Sequence, residues 1–166
     1  MVERLWTPWR MTYIKGLNEP PEGCFLCEHP QRDPSSDAET LVVARGTHAF
    51  VILNLYPYNT GHLVIAPYAH IGRYQDLDVE TRAEMDALVA RGLTALEDEY
   101  APQGFNVGMN LGRVAGAGVP DHLHTHVVPR WGGDANFMTT IGETKVLPES
   151  LADTYARIRP RYDASR

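Results

Sequence analysis

Residues 122–128 read His-Leu-His-Thr-His-Val-Val, three histidines at strict alternation. Side chains of a strand alternate between two faces, so this run sets His122, His124 and His126 on one face and Leu123, Thr125 and Val127 on the other. The segment therefore asks for a sheet with one apolar side, to receive Leu123 and Val127, and one side where imidazoles gather. Same-face neighbours along a strand stand about 7 Å apart, so one phosphoryl group fits against two of them. Such a face has three uses. It can bind metal, it can present a partly exposed histidine surface, or it can do covalent chemistry at phosphorus. In the last, one imidazole attacks while a neighbour donates protons or holds charge.

The segment before the histidines, Gly112-Arg-Val-Ala-Gly-Ala-Gly-Val-Pro-Asp121, is rich in glycine. Successive N–H groups in such a loop can form an anion nest. It has neither the lysine nor the spacing of a P-loop. Fifteen Lys and Arg against twenty-one Asp and Glu give a net charge of −6, which excludes a broadly basic nucleic-acid binder. A bound anion would have to be held by local donors.

The remaining elements follow from pattern. Leu41–Ala44, His48–Asn54, Gly61–Pro67, Phe105–Leu111 and His122–Trp131 read as strands, and their short connections predict antiparallel pairing. A long helix is predicted over 78–99, with Asp78 as N-cap and Glu80 and Glu84 complementing its dipole. Met85, Leu88, Val89, Gly92, Leu93 and Leu96 line one face of it. A short C-terminal helix is expected to start with Pro148 at its first position, with Leu151, Tyr155 and Ile158 as its stripe. The fold class is α+β, an antiparallel sheet of about five strands with one long and one short helix.

A chain of 166 residues suits one domain. Residues 1–23 hold Trp6, Trp9, Tyr13 and Ile14 among Pro8, Pro20 and Pro21, and read as an aromatic arm packed on the domain or on a second subunit. Residues 24–166 form the domain, with 28–40 as a polar loop. No run approaches the roughly 18 apolar residues of a membrane span, and the N-terminus lacks a signal-peptide core. The expected setting is the cytoplasm, away from membranes. There a structural disulfide between Cys24 and Cys27 is disfavoured. A metal site, a redox pair or two packed thiols remain for this CxxC, with His29, His48, His70 and His122 as further ligand candidates.

These residues together resemble the histidine triad (HIT) superfamily, whose signature alternates histidine and apolar residues as 122–128 do, with Thr125 a departure. Asn54, Pro57 and Gly61-His62-Leu-Val-Ile-Ala-Pro67 are similar to the family's nucleotide-binding strand pair. Leu5–Arg10, Asn110–Gly112 and Pro129–Asp134 resemble a bacterial branch close to the Fhit-like dinucleoside polyphosphate hydrolases and the diadenosine tetraphosphate phosphorylases.

The resemblance implies a HIT-like fold and a HIT domain over 24–166. It implies cleavage of dinucleoside polyphosphates, diadenosine tetraphosphate foremost, at the α-phosphorus through a nucleotidyl-histidine intermediate. Water or phosphate would be the second acceptor. His124 would be the nucleophile, His126 would contact the phosphate, and His122 would orient its neighbours or bind metal. Asn54 would hold ribose hydroxyls. Asn110 and the 115–118 backbone (Gly116, Ala117 and Gly118 included) would hold phosphate oxygens, and Phe25, Leu26 and Leu53 would shape the base pocket. Many relatives carry Gln or Ser four residues before the first histidine, where this chain has Gly118, which leaves the proton donor open. Zinc would be bound by Cys24, Cys27, His70 and His122, with no organic cofactor. Family members usually dimerise by joining two sheets, so a homodimer or higher homo-oligomer is expected. Arg130 faces either a terminal phosphate or an acidic neighbour, and Asp134–Phe137 could border the substrate cleft. The competing readings are a nucleotide-sensing or interaction module with little turnover, and nucleotidyl transfer on phosphoramidates or sugar nucleotides.

Overall fold

The computed structural model describes residues 23–134 and 148–165. The aromatic arm, except Gly23, and the segment following Asp134 up to Phe137 lie outside the described residues.

Five strands form one antiparallel sheet: β1 Val42–Arg45, β2 Ala49–Leu53, β3 Leu63–Pro67, β4 Gly104–Met109 and β5 Thr125–Arg130, in the order β1-β2-β3-β5-β4. The first three run as a meander. β5 then inserts between β3 and β4, pairing Val64 with His126 on one side and Gly108 with His126 on the other.

The period-two pattern sorts the sheet into two faces. Val43, Val51, Leu53, Leu63, Ile65, Leu123 and Val127 point to the helix side, where they join Met85, Leu88, Leu96, Ile158 and Tyr162 in the main core. Val42, Phe50, Ile52, Val64 and Ala66 point the other way and close over Leu26.

The long helix, α3 Val79–Tyr100, is capped as its sequence predicts: Asp78 Oδ1 accepts the Thr81 N–H at 2.6 Å. Glu84 does something other than complement the helix dipole. Its carboxylate accepts the N–H groups of Thr47, His48 and Ala49 and so closes the β1–β2 turn. Gly61 holds φ +77° in the turn before β3, and a Cβ there would come within 2.7 Å of Leu96 Cδ2. Only glycine lets this loop pass so close to α3.

Two expectations are corrected. The stretch 28–40 is not an open loop. It winds into α1 Phe25–Glu28, single turns at His29–Gln31 and Pro34–Ser36, and α2 Asp37–Thr40. Its composition is that of a loop, but Asp37, only 4% exposed, gathers Arg45 at 2.7 Å and Arg159 at 3.4 Å and ties the segment down. The C-terminal helix, α4 Leu151–Ala164, starts after Ser150 rather than at Pro148, because Ser150 Oγ accepts the Asp153 N–H. Its buried stripe is Thr154, Ile158 and Tyr162, with Tyr155 partly buried beside it.

Candidate active site

The expected alternation of the histidines is realised, although β5 begins only at Thr125. Before it, the His122 N–H donates to Val119 O and the Leu123 N–H to Ile71 O, so a turn rather than a ladder sets the first two histidines. Leu123 and Val127 enter the helix-side core. The three imidazoles occupy the other side, with the His124 and His126 rings 4.9 Å apart and edge to face.

Hydrogen bonds fix what each ring can do. His124 Nδ1 sits 2.8 Å from the carbonyl of His122. A carbonyl only accepts, so Nδ1 carries the proton and Nε2 keeps its lone pair. Burial leaves His124 8% exposed and lowers its pKa, so the ring stays neutral near pH 7. This is an imidazole prepared to attack.

His126 is prepared for the opposite task, by a residue that the sequence marked only as part of a strand pair. The Tyr58 main-chain N–H donates to His62 Nδ1 at 3.0 Å. His62 Nδ1 is therefore an acceptor and the neutral ring carries its proton on Nε2. That Nε2–H meets His126 Nδ1 at 3.0 Å. His126 Nδ1 in turn accepts, which leaves His126 with an Nε2–H donor. Burial, with His124 nearby, pushes the His126 pKa down to about 4. The pair thus presents one acceptor and one donor nitrogen, both uncharged.

His122 serves neither role directly. Its Nε2–H donates to Pro67 O at 2.8 Å, which turns Nδ1 toward the cysteines, 3.3 Å from Cys24 Sγ and 3.4 Å from Cys27 Sγ. His70 Nδ1 is 3.3 Å from Cys27 Sγ. The four ligand atoms all lie within 4.8 Å of one another. A tetrahedral zinc ion with bonds of about 2.3 Å to sulfur and about 2.1 Å to nitrogen separates its ligands by about 3.6 Å, so the cluster fits. Burial and the Cys24 thiol push Cys27 up to about 11, so the Cys27 thiolate forms only against a cation. The Pro67 carbonyl would be the outer partner that holds the His122 imidazole in place for a metal. Of the other candidates, His29 turns its Nδ1 to Thr40 O and His48 is exposed in the β1–β2 turn.

The rest of the expected site is divided. Asn54 directly follows β2, beside His62. Its Oδ1 accepts the Tyr56 N–H at 3.0 Å and its amide nitrogen faces His62 Nδ1 at 3.3 Å. Asn110 follows β4 and is half-buried. In the glycine-rich loop, the Ala115 and Ala117 N–H groups both donate to Gly112 O, and Gly116, at φ +90°, donates to Arg113 O. Those amides are spent within the loop. The Gly118 N–H makes no backbone bond among the described residues.

Leu53 is on the wrong face for a base pocket, since it points into the helix-side core. Its neighbour Ile52 shares the face of Val64 and His126, as strand parity and register require. Leu26 is 1% exposed and lies beneath that face, whereas Phe25 is 40% exposed. Arg130 faces an acidic neighbour: its guanidinium binds Asp134 at 2.6 and 2.9 Å and holds that carboxyl at about 2.

Comparison with known proteins agrees with this architecture. The HIT domain family model matches residues 35–133. A protein of Mycobacterium tuberculosis described as AP-4-A phosphorylase is 45% identical over 157 residues, 92% of this chain and 80% of its own length. A zinc-bound histidine triad family protein from Mycobacterium smegmatis superposes with a TM-score of 0.62 at 25% identity, covering 75% of this chain and 84% of its own. A histidine triad nucleotide-binding protein from Sulfolobus tokodaii shares the fold, with a TM-score of 0.62 at 24% identity and 92% of each chain covered. The chain belongs to the HIT family.

Proposed function

We propose that this protein is a nucleotide-processing HIT enzyme that cleaves dinucleoside polyphosphates, diadenosine tetraphosphate first among them, at the α-phosphorus. The observation that carries the reading is the bond from His124 Nδ1–H to the His122 carbonyl, which directs a neutral Nε2 lone pair outward. The 45% identical mycobacterial relative described as AP-4-A phosphorylase supports the substrate class.

In this reading the base lies against Ile52 and Val64 with Phe25 at the rim, and Asn54 holds the ribose. Asn110 and the Gly118 amide hold phosphate oxygens. His124 Nε2 forms a bond to the α-phosphorus while the anhydride oxygen leaves with its electron pair. The His126 Nε2–H donates to a phosphoryl oxygen and balances the charge that builds there. A second in-line displacement by phosphate or water then breaks the P–N bond, so one difficult step becomes two easier ones. Zinc held by Cys24, Cys27, His70 and His122 would supply a rigid knuckle behind the site.

The assembly is read as a cytoplasmic homodimer joined along β4, an edge strand whose Asn106, Val107 and Gly108 are exposed. No helix among the described residues is long and apolar enough to cross a membrane.

The test is product analysis. Protein incubated with diadenosine tetraphosphate should give ADP and ATP when phosphate is present, or AMP and ATP when water is the acceptor. His124→Ala should abolish turnover, a loss of at least about 10³-fold for a covalent nucleophile, with its melting temperature kept. No product under either condition would leave a sensing module instead, and a fully active His124→Ala would remove the mechanism.

A further inference from the structure

The donor role of His126 depends on His62, and His62 depends on Tyr58. Tyr58 lies in the β2–β3 connection, four residues past Asn54, and is half-exposed. It touches the relay twice. Its main-chain N–H holds His62 Nδ1 as an acceptor. Its ring covers both imidazoles, 4.8 Å from His62 at a tilt of 38° and 5.8 Å from His126 at 33°. These separations fall within the range of favourable ring–ring contact. One side of the phenol meets solvent while the other covers the N–H···N bond between buried His62 and partly buried His126.

We propose that Tyr58 is a positioning residue for the phosphate-side imidazole, its ring a cover that keeps water off the His62–His126 bond. The argument is one of competition. A neutral imidazole can carry its proton on either nitrogen, and among the described residues it is the bond from His62 that selects Nε2–H in His126. Water admitted to that bond would both donate to His126 Nδ1 and accept from His62 Nε2–H, and the selection would fade. A ring can exclude water from both partners at once only if it spans them, as this one does. The hydroxyl is not needed for this. The catalytic consequence rests on the function proposed above, but the tautomer consequence does not.

The experiment therefore has two readouts. Nitrogen-15 NMR of the imidazoles in the ligand-free protein distinguishes Nδ1–H from Nε2–H tautomers. His62 and His126 should each be a single Nε2–H form in the wild type and in Tyr58→Phe. In Tyr58→Ala, His126 should become a mixture. Steady-state kinetics on diadenosine tetraphosphate should show kcat for Tyr58→Ala lower by about 10- to 100-fold, the range for a misplaced reacting group, with KM changed less than about twofold. Tyr58→Phe should restore kcat. An unmixed His126 tautomer in Tyr58→Ala overturns the proposal whatever the activity. A Tyr58→Phe variant as impaired as Tyr58→Ala also overturns it, since the hydroxyl would then act on substrate. A mixed tautomer in a protein without turnover upholds the positioning role and counts against the proposed reaction alone.

Discussion

Stripping metal from the Cys24–Cys27–His70–His122 cluster should be felt in the melting temperature and in the nucleophile together. The four ligands come from α1, from the segment after β3 and from the turn before β5, so one ion would join parts of the chain almost a hundred residues apart. Their ligand atoms already stand near tetrahedral separations, so little rearrangement opposes binding. With free zinc held at 100 times the dissociation constant, linkage stabilises the fold by about 2.7 kcal/mol. For a chain of this size that corresponds to about 5–10 °C. The same His122 that would ligate through Nδ1 offers its carbonyl to His124 Nδ1 at 2.8 Å. Loss of the ion should therefore loosen the nucleophile's tautomer and lower kcat as well. The assay compares zinc-loaded and chelator-treated protein by thermal denaturation, with nitrogen-15 NMR of His124 and elemental analysis alongside. Cys27→Ser should reproduce the chelated state in the presence of zinc. Protein purified without added zinc that holds no metal, and melts within about 1 °C with or without it, would falsify this reasoning.

Two further expectations concern stability. Glu84→Ala should cost about 2–3 kcal/mol, because three N–H groups lose a charged acceptor and that of Ala49 is buried away from water; a urea midpoint that hardly moves would show that solvent replaces the carboxylate. The depressed pKa of His126 makes stability pH-dependent. The unfolded chain takes up a proton near 6.5 that the folded ring refuses until about 4, so stability is full above pH 6.5 and falls by about 3 kcal/mol toward pH 4. Urea titrations from pH 7 to 4 should show that slope in the wild type and less of it in His126→Gln. Equal slopes in the two would assign it to other groups.

What could be read from the sequence was whatever has a local cause. Asp78 and the apolar stripe of α3 announce a helix because cap and period act within a few residues. The alternating histidines announce a two-faced strand for the same reason. What failed depended on partners far along the chain. Glu84 is spaced like a dipole-complementing residue, and only the arrival of the β1–β2 turn gives it three N–H groups. Residues 28–40 are composed like a loop because the arginines that hold Asp37 come from β1 and α4. Leu53 and Ile52 are equally apolar, and only the register with β3 and β5 says which faces the histidines. His62 was placed in the nucleotide-binding strand pair by resemblance, but its task follows from a bond to a residue 64 positions away.

The place of β5 in the sheet also orders events during synthesis. The last of the described strands to be made is an inner one, with β3 on one side and β4 on the other. β1, β2 and β3 can pair as they leave the ribosome, but β4 has no neighbour until residues 125–130 emerge. At about 5–20 residues per second, β4 waits a second or more with both edges open. Its exposed Asn106 and the glycines at 104 and 108 make it a poor template for other chains during that wait. His124, His126 and the closing strand all arrive in the same few residues, so no shorter nascent chain can hold the assembled candidate site.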